Sequence, residues 1–322
     1  MGEKLIIGIL LLAVILAGFA CISLCQSDQT QYAKNDSNKT TTEIVSESSN
    51  VGGWISHKLV LNVLSKESQD SVMIYKTVSP VVNKEVTLEY AKIFNVNGTF
   101  LSGTAGTVIQ SDDLRYAIEI SKESGLVIYS DFRRPNVKQD APEYFPSDEE
   151  AIEAATRFLK EKGLYPEGAT EPIAQPEYTY SSGKNITYGQ IGVWYNRYLD
   201  GLEVKGTQLD VGVGGNGDII EYFANWREYE PYKKYPVITV DKAFENLKSE
   251  GVYVGKDSQD ALVSIDEVYL AYHTKAGAYT ENYLEPVWVF KGNVMNEDNK
   301  AVTDVEEYIP ALAKEPTELI SK

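Results

Sequence analysis

The chain has 322 residues, with 47 acidic against 30 basic side chains and a formal net charge of −17. That balance argues against nucleic acid and anionic lipid as direct binding surfaces, since both call for clustered Lys and Arg. The two cysteines, Cys21 and Cys25, both lie near the N-terminus. The remainder therefore forms no disulfide and must rely on an apolar core, which about 270 residues can supply.

From Leu5 to Leu24 the sequence carries no charge, an apolar run of about 20 residues that can cross a bilayer as a helix. A short charged start, an apolar stretch and small residues near its end also describe an export signal. Gly18-Phe19-Ala20 ahead of Cys21 resembles a lipobox, in which the cysteine is lipidated and becomes the mature N-terminus. Three outcomes stay open: lipid attachment at Cys21, an uncleaved signal anchor, and full secretion. The first two place the rest of the chain outside a membrane and bound to it.

Residues 26–50 are rich in Ser, Thr, Asn, Gln and Asp. Such a segment buries too little apolar surface to offset its ordering entropy and is expected to be a disordered tether. Glycosylation sequons begin at Asn35, Asn38, Asn97 and Asn185, which fits an extracellular surface.

Three stretches have helical spacing with defined ends. Near Asn83, Val86, Tyr90, Ile93 and Phe94 share a face. Ser147 with Glu150 forms a capping-box pattern ahead of Ile152, Ala155, Phe158 and Leu159, and Gly163 closes the stretch. After Thr239, Val240, Ala243, Phe244 and Leu247 make a third stripe, closed by Gly251.

Most of the rest reads as strands. Residues 59–63 and 71–78 are expected to pair near the N-terminus, and 114–120 with 126–132 form a hairpin. Residues 188–198, 203–213 and 219–226 follow, the last two joined by Gly214-Gly215-Asn216-Gly217-Asp218, a strong turn signal. A final pair spans 263–274 and 282–294. A helix followed by antiparallel strands thus recurs about three times. The expected class is α+β, with antiparallel sheets each packed against a helix in tandem helix-plus-hairpin units. The expected boundaries are an anchor at 1–25, a tether at 26–50, an N-terminal α+β domain at 51–140, a second domain at 147–294 and a polar C-terminal tail at 295–322.

From Ser147 onward one order of features stands out: a capped helix, then Val193-Trp194-Tyr195-Asn196-Arg197-Tyr198-Leu199-Asp200-Gly201-Leu202-Glu203-Val204. A Gly-rich hairpin, Trp226, a helix opening Val240-Asp241-Lys242-Ala243, and Leu284-Glu285-Pro286-Val287-Trp288 complete it. This resembles PepSY-like domains, the related propeptide modules of thermolysin-type proteases and YycI-type extracytoplasmic regulators. The resemblance covers residues 147–294. It implies a small sheet packed on helices outside the membrane, with a binding or inhibitory role and no catalytic residues.

Chemical motifs are sparse. His57 and His273 stand outside any H-E-x-x-H or H-x-H pattern, so a zinc protease site is not expected. Glu149, Glu150, Asp200, Glu203, Asp210 and Glu221 are carboxylates that could pair for glycoside chemistry, but so acidic a chain brings carboxylates together by chance. Gly212 to Gly217 lies between strands, which is a turn and not a phosphate loop. Asn296-Glu297-Asp298-Asn299 has oxygen ligands without calcium-loop spacing. Among the 22 tyrosines, those on the central hairpins suggest a binding surface built from Tyr195, Tyr198, Tyr222, Trp226 and Trp288.

No cofactor, catalytic residue or metal site is expected. The sequence points to a non-enzymatic binding or regulatory lipoprotein that is anchored to the membrane by its N-terminus and acts on another envelope protein, a protease or a sensor. The alternatives are an exported carboxylate-dependent hydrolase and a structural cell-surface component.

Overall fold

A computed structural model describes residues 54–314 apart from 64–68, 133–136, 139–144, 181–185, 256–260, 297 and 299. Cys21, the tether 26–50, Asn35, Asn38 and Asn185 lie outside the described residues. Among the described residues no helix is long and apolar enough to cross a membrane.

In chain order the elements are β1 (Trp54–Ser56), β2 (Leu59–Leu61), β3 (Ser71–Thr77), α1 (Lys84–Ile93), β4 (Gly98–Ser102), β5 (Gly106–Ser111), β6 (Tyr116–Ser121), β7 (Val127–Asp131) and β8 (Val137–Lys138). Then come α2 (Asp148–Glu161), β9 (Ile173–Tyr180), β10 (Ile186–Tyr195), β11 (Tyr198–Leu199), β12 (Leu202–Lys205), β13 (Gln208–Val213) and β14 (Ile219–Asn225). The last are β15 (Tyr229–Pro236), α3 (Val240–Glu250), β16 (Val252–Gly255), β17 (Leu262–His273), β18 (Tyr283–Met295) and β19 (Ala301–Pro310).

The three helices start where local chemistry places them. Asn83 accepts from the Val86 amide, Ser147 and Glu150 cap reciprocally, and Thr239 accepts from the Lys242 amide. Each side-chain oxygen satisfies an amide that has no partner within its helix. Gly163 follows α2 at φ +68°, a left-handed position that costs glycine nothing.

The expected α+β class is overturned. Strand dominates, and the strands merge into two large, mainly antiparallel sheets instead of one sheet per helix. The first has nine strands in the order β4-β5-β6-β7-β14-β13-β10, with β8 and β9 beside β10. The join is at β7 and β14, where Tyr129 pairs with Tyr222 and Ile128 with Phe223. A small sheet that stood alone at this point would leave two rows of backbone groups unpaired. Pairing them removes both edges and draws the stretches expected as domains 51–140 and 147–294 into one sheet. Helices α1 and α2 cover the same face of it. Ala151, Ala154, Ala155 and Leu159 of α2 pack in one core with Ile109, Ile118, Val193, Val211 and Tyr222.

The second sheet has eight strands in the order β11-β12-β17-β18-β3-β15, with β19 beside β18 and β2 beside β17. Helix α3 packs on one face through Val240, Ala243 and Leu247, against Leu270, Trp288 and Phe290. Residues 301–310, expected in a polar tail, form β19 and pair with β18 from Val287–Pro310 to Met295–Ala301.

A buried polar network links the end of β14 to the turn between β17 and β18. Arg227 donates to the carbonyls of Lys275, Ala276 and Tyr279 at 3.2, 3.1 and 2.7 Å. Its Nε lies 4.0 Å from Glu281, and both side chains are 1% exposed. Glu281 accepts from the Tyr229 hydroxyl at 2.8 Å, the Thr274 hydroxyl at 3.0 Å and the Lys275 amide at 2.6 Å. Arg197 donates to the Arg227 carbonyl at 2.5 Å and faces the rings of Trp226 and Tyr229 at 5.1 and 4.9 Å. The phrase from Asn196 to Gly201 therefore has an architectural role in its arginine.

Candidate functional site

The face of the second sheet opposite α3 carries a half-buried cluster of aromatic and charged side chains. Strand alternation puts it there. Along β17 and β18, Leu270, Trp288 and Phe290 point at α3, while Tyr269, Ala271, Val287 and Val289 form a separate cluster with Tyr308 of β19. Register aligns Tyr269, Val289 and Tyr308 in one cross-strand row, and Glu267, Lys291 and Glu306 in the next. Parallel pairing of β12 with β17 brings Lys205 beside His273.

The charges are interlocked. Lys205 Nζ lies 2.9 Å from Glu306 and 3.6 Å from Glu203, and Lys291 Nζ lies 3.2 Å from Glu306. The Tyr269 hydroxyl donates to Glu203 at 3.1 Å, and the Tyr308 hydroxyl donates to Glu306. Lys291 also sits over the Tyr269 ring at 5.3 Å, and the His273 and Tyr308 rings are 4.9 Å apart.

These contacts set the titration behaviour. Burial, aided by the Lys205 charge, pushes His273 down to about 4, so its imidazole is neutral at pH 7. Burial pushes Glu306 up, but the Tyr308 hydroxyl and Lys205 outweigh it and hold the carboxyl below its usual range. Burial pulls Lys291 down, but Tyr269 and Glu306 outweigh it and hold the ammonium above its usual range. Burial also raises both Tyr269 and Tyr308. A general acid or base works best with a pKa near the working pH, and none of these shifted groups is tuned there. Two rings flanked by charge-assisted hydrogen bonds instead make a fixed surface that can stack and hydrogen-bond a ligand.

The five residues expected to form a binding surface are not brought together. Tyr195 and Tyr222 lie in the core of the first sheet at 1% and 4% exposure. The Tyr195 hydroxyl bonds Thr156 at 2.8 Å, and Tyr222 packs on Phe94 with ring centroids 5.3 Å apart. Trp288 is 2% exposed under α3. Trp226 is half-buried against Arg197, and Tyr198 alone of the five is well exposed, at 47%. Tyrosine suits both a sheet surface and a helix-covered face, and here the covering helix decides which.

The remaining sequence candidates are dispersed. Glu150 closes the α2 cap, Asp200 accepts from the Tyr75 hydroxyl, and His57 Nδ1 lies 2.9 Å from the Lys248 carbonyl oxygen. Asn296 Oδ1 accepts from the amides of Asp298 and Lys300. Asn97 is exposed just ahead of β4, as glycan attachment requires. No group of three His, Cys, Asp or Glu side chains placed to hold a metal occurs among the described residues. Tyr269, Lys291, Glu306 and Tyr308 were missed, although polar residues at alternate positions in β17 and β19 were a visible signal.

The helix-free face of the first sheet carries one titrating group of note. Burial pushes the Glu119 carboxyl up to about 7 from its ordinary 4.5. Between those values the folded state holds a proton that the unfolded chain has released, so stability falls as pH rises through the window. Glu119→Gln is expected to raise the unfolding midpoint at pH 8, leave it unchanged at pH 4 and flatten the slope between. Thermal melts across that range check this.

No family model matches the sequence, and no curated protein matches it. Among solved structures the fold is similar to an uncharacterized protein from Eubacterium rectale ATCC 33656. The TM-score is 0.46 at 14% identity, over 79% of this chain and 88% of the other.

Proposed function

We propose that this chain is a membrane-tethered extracytoplasmic binding protein without catalytic activity, which modulates another envelope protein, a protease or a sensor. The observation that carries the reading is the face of the second sheet formed by Tyr269, Tyr308, Lys205, Lys291 and Glu306. Its side chains are interlocked by ion pairs and partly exposed, at 15% for Lys205, 31% for Glu306 and 35% for Lys291. Rigid aromatic side chains with a charged rim are what protein interfaces enrich. The apolar run at 5–24 and the resemblance to PepSY-like and YycI-type domains support the same reading.

A photo-crosslinking residue at Asp304, on the exposed rim beside Glu306, tests it in native membranes. The expected result is one adduct with one identified envelope protein, lost when Lys291→Glu reverses the charge facing Glu306. An absent adduct, or one that ignores Lys291→Glu, would sink the reading. So would turnover of a glycan or peptide panel that a single Asp or Glu substitution abolishes.

A further inference from the structure

A strand edge with unpaired backbone groups is a template for another strand, and two edge strands of the second sheet differ in how they are guarded. β15 carries Pro231, Pro236, Lys233 and Lys234, and a register shift breaks its ladder between Pro231 and Lys233. Prolines, lysines and bulges are the usual means of blunting an edge. β19 lacks them. It spans ten residues, contains no lysine, carries its single proline at the last position and keeps its register unbroken from Thr303 to Pro310. It pairs with β18, and no other described strand pairs with it.

The backbone groups on the open side can be assigned. The Ala311 amide donates to the Pro286 carbonyl at 3.0 Å, which makes Val287 and Pro310 a non-hydrogen-bonded pair. Alternation then turns the backbone of Thr303, Val305, Glu307 and Ile309 toward β18, and that of Asp304, Glu306 and Tyr308 away from it. No described residue accepts from the amides of Asp304, Glu306 and Tyr308. Pro310, the next outward position, has no N–H to offer. Beyond it the Ala311 carbonyl accepts from the Ile238 amide at 2.8 Å, so the open run ends where the chain enters α3.

Charge selects the occupant. The charged side chains of β19 are Asp304, Glu306 and Glu307, all acidic. Lys205 and Lys291 hold Glu306. Glu307 stands opposite Phe290 on the α3 face, and no described residue gives its carboxylate a hydrogen bond or an ion pair. Burial, with the Glu250 charge, pushes it up to about 7. A second copy of this edge would set these carboxylates against their equals, and like charges across a strand pair are destabilising.

We infer that the open edge of β19 receives an extended segment of the partner as an added strand, with a lysine or arginine beside Glu307. Main-chain hydrogen bonds to Asp304, Glu306 and Tyr308 supply the affinity, and alternate side chains supply the choice of sequence. The inference rests on the binding role proposed for the adjoining face and adds how the partner is held.

The probe is a labelled synthetic peptide as long as β19, alternating threonine and lysine, titrated into the full chain in detergent and followed by anisotropy. Saturable binding is expected, with hydrogen exchange at the amides of Asp304, Glu306 and Tyr308 slowed at least about tenfold in the complex. Methylating every backbone nitrogen of the peptide keeps its charge and removes its donors, and should weaken binding at least about tenfold. Asp304→Pro breaks no bond to β18 and should weaken binding by a similar factor, whereas Asp304→Asn should not. Glu307→Gln should weaken it about threefold. Equal binding of the methylated peptide, or unchanged exchange at those amides, would overturn strand addition in favour of attraction by charge alone. A dimer in sedimentation that Asp304→Pro dissolves would assign the edge to a second copy instead. In native membranes the unmethylated peptide should displace the partner from the Asp304 cross-linker. An adduct that resists it overturns the added strand and leaves the binding role standing, while an absent adduct sinks that role itself.

Discussion

Replacing Glu281 by alanine is expected to cost about 3–5 kcal/mol of stability, the range for removing one partner of a buried ion pair. Glu281 is the anionic centre of the network that ties β14 to the turn between β17 and β18. Without it, the Arg227 guanidinium stays buried at 4% exposure with only neutral carbonyls around it, and the Tyr229 and Thr274 hydroxyls lose an acceptor. Glu281→Gln isolates the charge, since an amide of the same shape still accepts from the Lys275 amide. Its expected cost is smaller than that of alanine and shows how much of the total is charge. Urea unfolding followed by tryptophan fluorescence checks both. A loss under about 1 kcal/mol for alanine, the scale of an exposed pair, would mean that the network does not hold the sheets together.

The network also shows which parts of this fold could be read from the sequence. The helices were legible because their signals are local. Ser147 and Glu150 are three residues apart, and each cap closes within one turn. The sheets were not, because their deciding contacts are distant. β15 was not among the strands expected, and it contains Pro231 and Pro236, which cannot donate to a ladder and are confined to strand edges and ends. It lies at a sheet edge and pairs with β3, from Tyr229–Thr77 to Pro236–Ser71. The union of β7 with β14 depends on two edges that each look complete in sequence. The candidate site suffered in the same way. Alternation in β17 displays Tyr269 and His273, but the charges that organise them arrive on β12 and β19, and the second of these was read as tail.

Trp288 separates the two readings of the aromatic residues. As a binding residue on a surface it would tolerate alanine within about 0.5 kcal/mol of stability while binding was lost. The structure puts it in the core instead. It is 2% exposed, packs with Leu270 and Phe290 under α3, and its Nε1 donates to the Ile238 carbonyl at 3.0 Å. Ile238 immediately precedes the Thr239 cap, and its amide is held by the Ala311 carbonyl at 2.8 Å. One indole thus fixes the entry of α3 to the sheet and to the chain leaving β19. Trp288→Ala is expected to cost about 3–5 kcal/mol, the range for emptying a buried aromatic site. Trp288→Phe retains most of the packing and leaves the Ile238 carbonyl without its donor, so about 1–3 kcal/mol should be lost. Calorimetric or urea unfolding of the two variants gives the ordering. A wild-type midpoint for Trp288→Ala would place the indole outside the core and return it to the surface on which the sequence first set it.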